Sequence, residues 1–245
     1  HILPLLFLFA YLLSLSIKVQ ADSTVLSDIA SAPSADRIEK DIQKLVSFGT
    51  RHTLSDTTSE TKGIGAARRW IKSEFESISA ECGGCLKVYS QSRIISGEKR
   101  IPEATEVVNI IAILEGKSEP NRFVVMSGDI DSRISDPLNA KDASPGANDN
   151  ASGMAGTIEA ARVLSQYEFP ASIVFVGLSG EEQGLFGGKI MAENAVKDGW
   201  KVETILNNDM IGNISGINGV TNNGVARVFS EATRPTETAQ EARLR

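Results

Sequence analysis

Histidine is almost missing from this sequence. Its 245 residues hold two, His1 and His52, so a metal site built here must draw on carboxylates more than on imidazoles. Cysteine is as scarce: Cys82 and Cys85 stand in Glu81-Cys-Gly-Gly-Cys-Leu86. No second pair exists to complete a four-cysteine zinc site. The pair lies between a helical and a strand-like segment, the reverse of a thioredoxin-type redox context, and its two glycines read as a turn. That turn is either stapled by a local disulfide or carries two free thiols. Basic runs are absent too, and the formal net charge is −6. A nucleic-acid partner is therefore not expected, since phosphate binding needs a basic face. There is no internal repeat and no low-complexity segment.

What is present is an ordinary globular balance of 41% apolar and 23% charged residues, enough for one sizeable core. The chain opens with an apolar run from Ile2 to Ile17, then Val19-Gln-Ala21, a small-x-small pattern, then polar Asp22-Ser-Thr24. This reads as a secretory signal peptide over residues 1–21, lacking its charged leading region, so the N-terminus is read as incomplete. The alternative, a transmembrane anchor, would want a slightly longer run. The expectation is a secreted or periplasmic protein with no stable membrane association after cleavage.

Residues 22–35 are small and polar and read as a linker, leaving 36–245 as the folded domain. Ile38, Ile42, Leu45 and Val46 mark one helix, and Ile64, Ala67, Ile71, Phe75 and Ile78 a second that stops at Gly83-Gly84. Between them lies a polar loop that contains His52, for which a loop or core role is expected rather than a metal role. Strand-like runs follow at Leu86–Tyr89, Val107–Leu114, Phe123–Met126, Ile173–Leu178 and Thr204–Leu206. Helices are expected at 151–165 and about 184–197. The alternation predicts a three-layer α/β/α sandwich around a mixed, mostly parallel sheet.

Acidic residues gather where the strands end. Phe123-Val-Val-Met126 runs into Asp129 and Asp131, Val174-Phe-Val-Gly-Leu178 into Glu181-Glu182, and Thr204-Ile-Leu206 into Asp209. A fourth acidic segment, Pro145-Gly-Ala-Asn-Asp149-Asn-Ala-Ser-Gly153, opens a helix. Ligands of α/β sheets bind at the carboxyl ends of strands. Carboxylates crowded there repel one another, and a bound cation removes the conflict. In the adjacent pair Glu181-Glu182, one carboxylate can hold a metal while the other stays free as a general base.

Three of these segments, Pro145–Gly153, Ser179-Gly-Glu-Glu-Gln-Gly184 and Asn208-Asp-Met-Ile-Gly212, resemble the signatures of M28 family metallo-aminopeptidases, and the similarity extends over most of 36–245. The resemblance implies the zinc-dependent exopeptidase fold and two zinc ions bridged by an aspartate. By position Asp149 would be the bridge, Glu182 a ligand of one metal, Asp209 a ligand of the other, and Glu181 the general base. It also implies a cis peptide between Asp149 and Asn150.

The chain departs from that pattern where the family has Gly-His-x-Asp-Ser, because the metal-binding position is Asp129. A second family histidine has no counterpart, so the domain is read as incomplete at its C-terminus. One metal would then see Asp129, Asp149 and Asp209, all oxygen donors, which suit magnesium, calcium or manganese more than zinc. Two divalent ions are expected, zinc by resemblance, with weaker or harder-ion binding here. Asp131 loses the imidazole it would orient.

The sequence thus points to an exported metal-dependent aminopeptidase acting on peptides. Two alternatives stay open: an M28-like domain with an impaired site and a binding or structural role, and an M28-like glutaminyl cyclase.

Overall fold

The computed structural model of the chain describes residues 24–225 and residue 228. The expected signal peptide, and most of the segment after 225, lie outside these described residues. Residues 24–31, read from composition as linker, are instead helical and mostly exposed, with Ser31 Oγ bonded back to Ser27 O. The domain proper begins with α1 (Ala35–Ser47), whose first turn is capped by the Ser34 hydroxyl accepting from the Arg37 amide. There follow α2 (Gly63–Glu81), β1 (Leu86–Ile95), β2 (Thr105–Leu114) and β3 (Glu119–Asp129). A kinked helical turn, Ala147–Ser152, leads into α3 (Gly153–Leu164), then β4 (Ala171–Leu178), α4 (Phe186–Lys197) and β5 (Lys201–Asn208).

The five strands form one sheet in the order β1-β2-β4-β3-β5. β1 with β2, and β2 with β4, are antiparallel; β3 pairs in parallel with both β4 and β5. The sheet is mixed as expected, but the parallel share is half. The short β1–β2 connection makes a hairpin, and β4 inserts between β2 and β3 rather than following β3 outward.

Alternation along the central strands sends side chains to two layers. Ile110, Ala112, Ile173 and Phe175 face the side covered by α1, α2 and α3, where they meet Leu45, Ile71, Phe75, Met154 and Ile158. Ile111, Val174, Val176 and Val125 face the other side, against Met191 of α4, with Trp200 stacked on Phe123 at 4.3 Å. Helices on both faces complete the three-layer sandwich. β5 is an edge, with Ile205 and Leu206 exposed. At the end of α2, Cys82 and Cys85 are joined by a disulfide around Gly83 and Gly84, so the turn is stapled.

A candidate metal and catalytic cleft at the strand ends

The register places Gly128 opposite both Gly177 of β4 and Asn208 of β5, so three carboxyl strand ends lie side by side. The start of α3 is pressed onto them. A Cβ on Gly153 would stand 2.1 Å from Asn208 O, and one on Gly128 would stand 2.6 Å from the Gly153 carbonyl carbon. Only glycine allows that approach, and it carries the turn holding Asp149 to the strand ends. The Asp149–Asn150 peptide is cis. Asn150 is buried and joins three segments: its own turn and the ends of β3 and β5. Its Nδ2 donates to Asp129 Oδ2 and Asn208 O, each at 2.9 Å, and its Oδ1 accepts from the Gly153 and Met210 amides.

Asp131 organises the other side. It is fully buried and accepts from Thr53 Oγ1 and from the backbone amides of Glu181 and Glu182. The turn after β4 is therefore hung on Asp131 rather than left to solvent. The adjacent carboxylates of that turn differ. Glu182 Oε2 accepts from Arg133 Nε at 2.5 Å, and its carbonyl accepts from Arg100 Nη1. The Glu181 carboxylate takes no hydrogen bond among the described residues. It lines a cleft of about 450 Å³ together with Asp129, Asp209, Leu178, Lys189 and Ile205. Leu185, also on that wall, holds a left-handed backbone (φ 62°) that is uncommon for a residue with a side chain.

Asp129, Glu181 and Asp209 are thus brought together as the sequence predicted. Asp149 and Glu182 do not line the cleft, but their charges act on the same group: Asp149 on Glu181, Glu182 and Asp209, and Glu182 on Glu181. Burial, then the charge of Asp131, pushes the Asp129 carboxyl up to about 8, against the opposing Asn150 bond. Burial and then Asp131, Glu182 and Asp209 raise Glu181 to about 7. Burial also raises Asp131 despite its three donors, and Glu182 despite Arg133. Asp209 is raised by burial and by Asp149.

Repelling oxygen donors of this kind fit a divalent cation, which would relieve the repulsion. Among the described residues, however, no three acidic, histidine or cysteine side chains stand as a ready-made cage. Asp129 and Glu182 each accept a hydrogen bond from a protein donor, Asn150 and Arg133.

Two arginines escaped the sequence reading. Arg51, in the loop before α2, is buried and donates to Leu45 O, Ile130 O, Pro145 O and Gly146 O. It ties the segment after Asp129 to the segment before Asp149. Arg133 holds Glu182. His52 takes the core role expected: it is buried, its Nδ1 accepts from the Leu54 amide, and its Nε2 lies 3.0 Å from Pro137 O. Burial lowers its pKa, against the Pro137 bond and the charge of Asp131.

The model of peptidase family M28 matches residues 109–242, which include every acidic residue of this cleft. The chain belongs to peptidase family M28. A relative named "Probable zinc metalloprotease" from Pyrenophora teres f. teres is 42% identical over 210 residues, covering 86% of this chain and 44% of the relative. One of the same name from Pyricularia oryzae is 41% identical over 205 residues, covering 84% and 41%. The M28 chain thus spans less than half the length of these curated relatives. Among solved structures, the Legionella pneumophila LapA aminopeptidase superposes with a TM-score of 0.57 at 20% identity, covering 75% of this chain and 44% of that one. A Porphyromonas gingivalis glutaminyl cyclase does so with a TM-score of 0.58 at 23% identity, covering 74% and 62%. At such identities the two likenesses show the fold alone. They place this M28 domain in a fold that one aminopeptidase and one cyclase share.

Proposed function

We propose that this M28 domain belongs to an exported, metal-dependent aminopeptidase that hydrolyses N-terminal residues from peptides. The observation that carries the reading is the contrast within Glu181-Glu182. Glu182 is held at its amide, carbonyl and carboxylate, while among the described residues the Glu181 carboxylate takes no hydrogen bond and faces the cleft. Asp129, Asp149, Glu182 and Asp209 are the residues that would hold the metal ions, two by resemblance. Bound divalent metal supplies Lewis acidity and lowers the pKa of water. Glu181 accepts the proton of the attacking water and delivers it to the departing amine, so the C–N bond breaks and no proton is left over. Support for zinc comes from the relatives' printed names; support for export comes from the leading apolar run.

The cyclase reading rests on fold likeness alone, whereas relatives at about 40% identity carry a protease name. The test is zinc stoichiometry together with hydrolysis of an aminoacyl amide and cyclisation of an N-terminal glutaminyl peptide. Hydrolysis is expected. Glu181→Gln is expected to keep the metal and lose turnover, because an amide cannot accept the proton. Stoichiometric metal with cyclisation and no hydrolysis would replace the aminopeptidase reading, and a Glu181→Gln variant of full activity would end the general-base assignment.

A further inference from the structure

Arg68 of α2 holds a buried charge that no carboxylate bonds. The residue is 7% exposed. Its Nε and Nη2 both donate to the one hydroxyl of Ser179, and its Nη1 donates to Glu106 O, all at 3.3 Å. A guanidinium has five N–H groups. Two of these, one on each Nη, therefore have no acceptor among the described residues, and Arg68 makes no ion pair with them. Burial lowers its pKa to about 10, against the charges of Asp131 and Glu106. Asp131 is already taken by Thr53 and two backbone amides. Arg51 is buried without an ion pair too, but its four bonds to carbonyls are shorter, at 2.6 to 3.2 Å. Arg68 differs in a second way: it lines a cavity of about 370 Å³.

We propose that this cavity is an anion site, taking a carboxylate or phosphate group on the open N–H groups of Arg68 and the hydroxyls of Ser55 and Thr57. The argument is one of unmet donors. A guanidinium taken out of water costs free energy unless its hydrogens are bonded and its charge is answered, and a two-oxygen anion does both at once. Ser55 and Thr57 stand on the same cavity wall. The Ser55 hydroxyl accepts from the Ile64 amide and donates to no described residue, and the Thr57 hydroxyl makes no hydrogen bond among them. Arg69 also lines the cavity and adds positive charge, though its guanidinium is spent on the Thr57 and Ser59 carbonyls. Glu106 opposes the ligand, as a carboxylate on the wall. It is exposed and its Oε1 accepts from Ser92 Oγ at 2.7 Å, so water screens its charge more than that of buried Arg68. The cavity shares no lining residue with the acidic cleft, so the proposal stands apart from the metal reading.

The experiment is isothermal titration of the protein with inorganic phosphate and, separately, with acetate, at fixed ionic strength. The protein is first stripped of metal by a chelator and desalted, so that neither anion can bind through a metal ion. One equivalent of anion is expected to bind, and the tighter of the two identifies the group the site prefers. Arg68→Gln should weaken that binding about tenfold or more, as loss of a charge-assisted bond does. Arg68→Lys should retain part of it, since an ammonium keeps the charge but not the fork of donors. Glu106→Gln should bind more tightly than the parent, because a repelling charge is gone. That exposed substitution leaves the fold unstressed, so it decides the matter even where Arg68→Gln fails to fold by circular dichroism. No binding of either anion by the parent would overturn the proposal. So would equal affinity in a folded Arg68→Gln, or a Glu106→Gln affinity no tighter than the parent's.

Discussion

Replacing Asp129 with asparagine should stabilise the metal-free protein, increasingly so as the pH rises. Asp129 is 5% exposed, and its carboxyl titrates at about 8 against an ordinary 3.8. A carboxyl raised in the folded state releases its proton sooner when the chain unfolds. Its full stability is therefore present below about pH 4 and is lost as the pH climbs through the folded value near 8. Each unit corresponds to about 1.4 kcal/mol, so the span from the ordinary value to pH 7 gives a ceiling of about 4 kcal/mol. Water entering the open cleft screens part of this, leaving about 2 kcal/mol as the expected gain at pH 7. Asparagine keeps the shape, and its amide oxygen can still accept from Asn150 Nδ2. The assay is urea unfolding with a chelator present, at pH values from about 5 to about 8.5. The difference between variant and parent should widen with pH. A variant less stable than the parent throughout, or a difference independent of pH, would refute the argument that Asp129 is held as a desolvated, repelled carboxyl.

Two further outcomes follow from other contacts. Arg51→Met should destabilise the domain by about 3 kcal/mol in urea unfolding, since four backbone carbonyls lose a buried donor at once; a loss under about 1 kcal/mol would show those carbonyls to be satisfied otherwise. Reducing the Cys82–Cys85 bridge should lower stability by no more than about 2 kcal/mol, because the closed loop is so short that little unfolded-state entropy is removed; thermal unfolding with and without reductant reads this, and loss of the native fold on reduction would contradict it.

Much of the fold could be read along the chain because its helices and inner strands carry strong periodicity. The continuously apolar Ile173-Val-Phe-Val176 is the central strand, buried on both faces. Outer strands were less legible. β1 was expected to stop at Tyr89 but continues to Ile95 through polar Ser90–Arg93, because an edge strand alternates with solvent and its length is set by pairing with β2. β3 likewise begins with polar Glu119, upstream of its apolar run. The insertion of β4 between β2 and β3 left no mark in the local pattern, since strand order is a choice among long-range pairings.

The cleft divides in the same way. Asp129, Glu181 and Asp209 stood out because each follows an apolar strand and is set among glycine and serine. Arg51 and Arg133 did not, and Asn150 was named only for its cis peptide and not for its bonds, since each matters through a partner distant in sequence: Pro145 for Arg51, Glu182 for Arg133, Asn208 for Asn150. A buried arginine in a polar loop looks like any surface arginine until the segment it clamps is in place.

The strand order also bears on how the chain acquires its cleft during synthesis. β3 is complete at Asp129, yet both of its neighbours come later, β4 from Ala171 and β5 from Lys201. Until they emerge, the strand has no pairing edge, and its apolar residues Phe123 to Met126 have nothing to join. The β1–β2 hairpin and the helices before it can form from local contacts, whereas the parallel centre has to wait for distant ones. A nascent chain halted between β3 and β4 would therefore expose an unpaired apolar strand ending in an unneutralised aspartate, a species suited to chaperone capture, and the acidic cleft would be among the last parts of the domain to take shape.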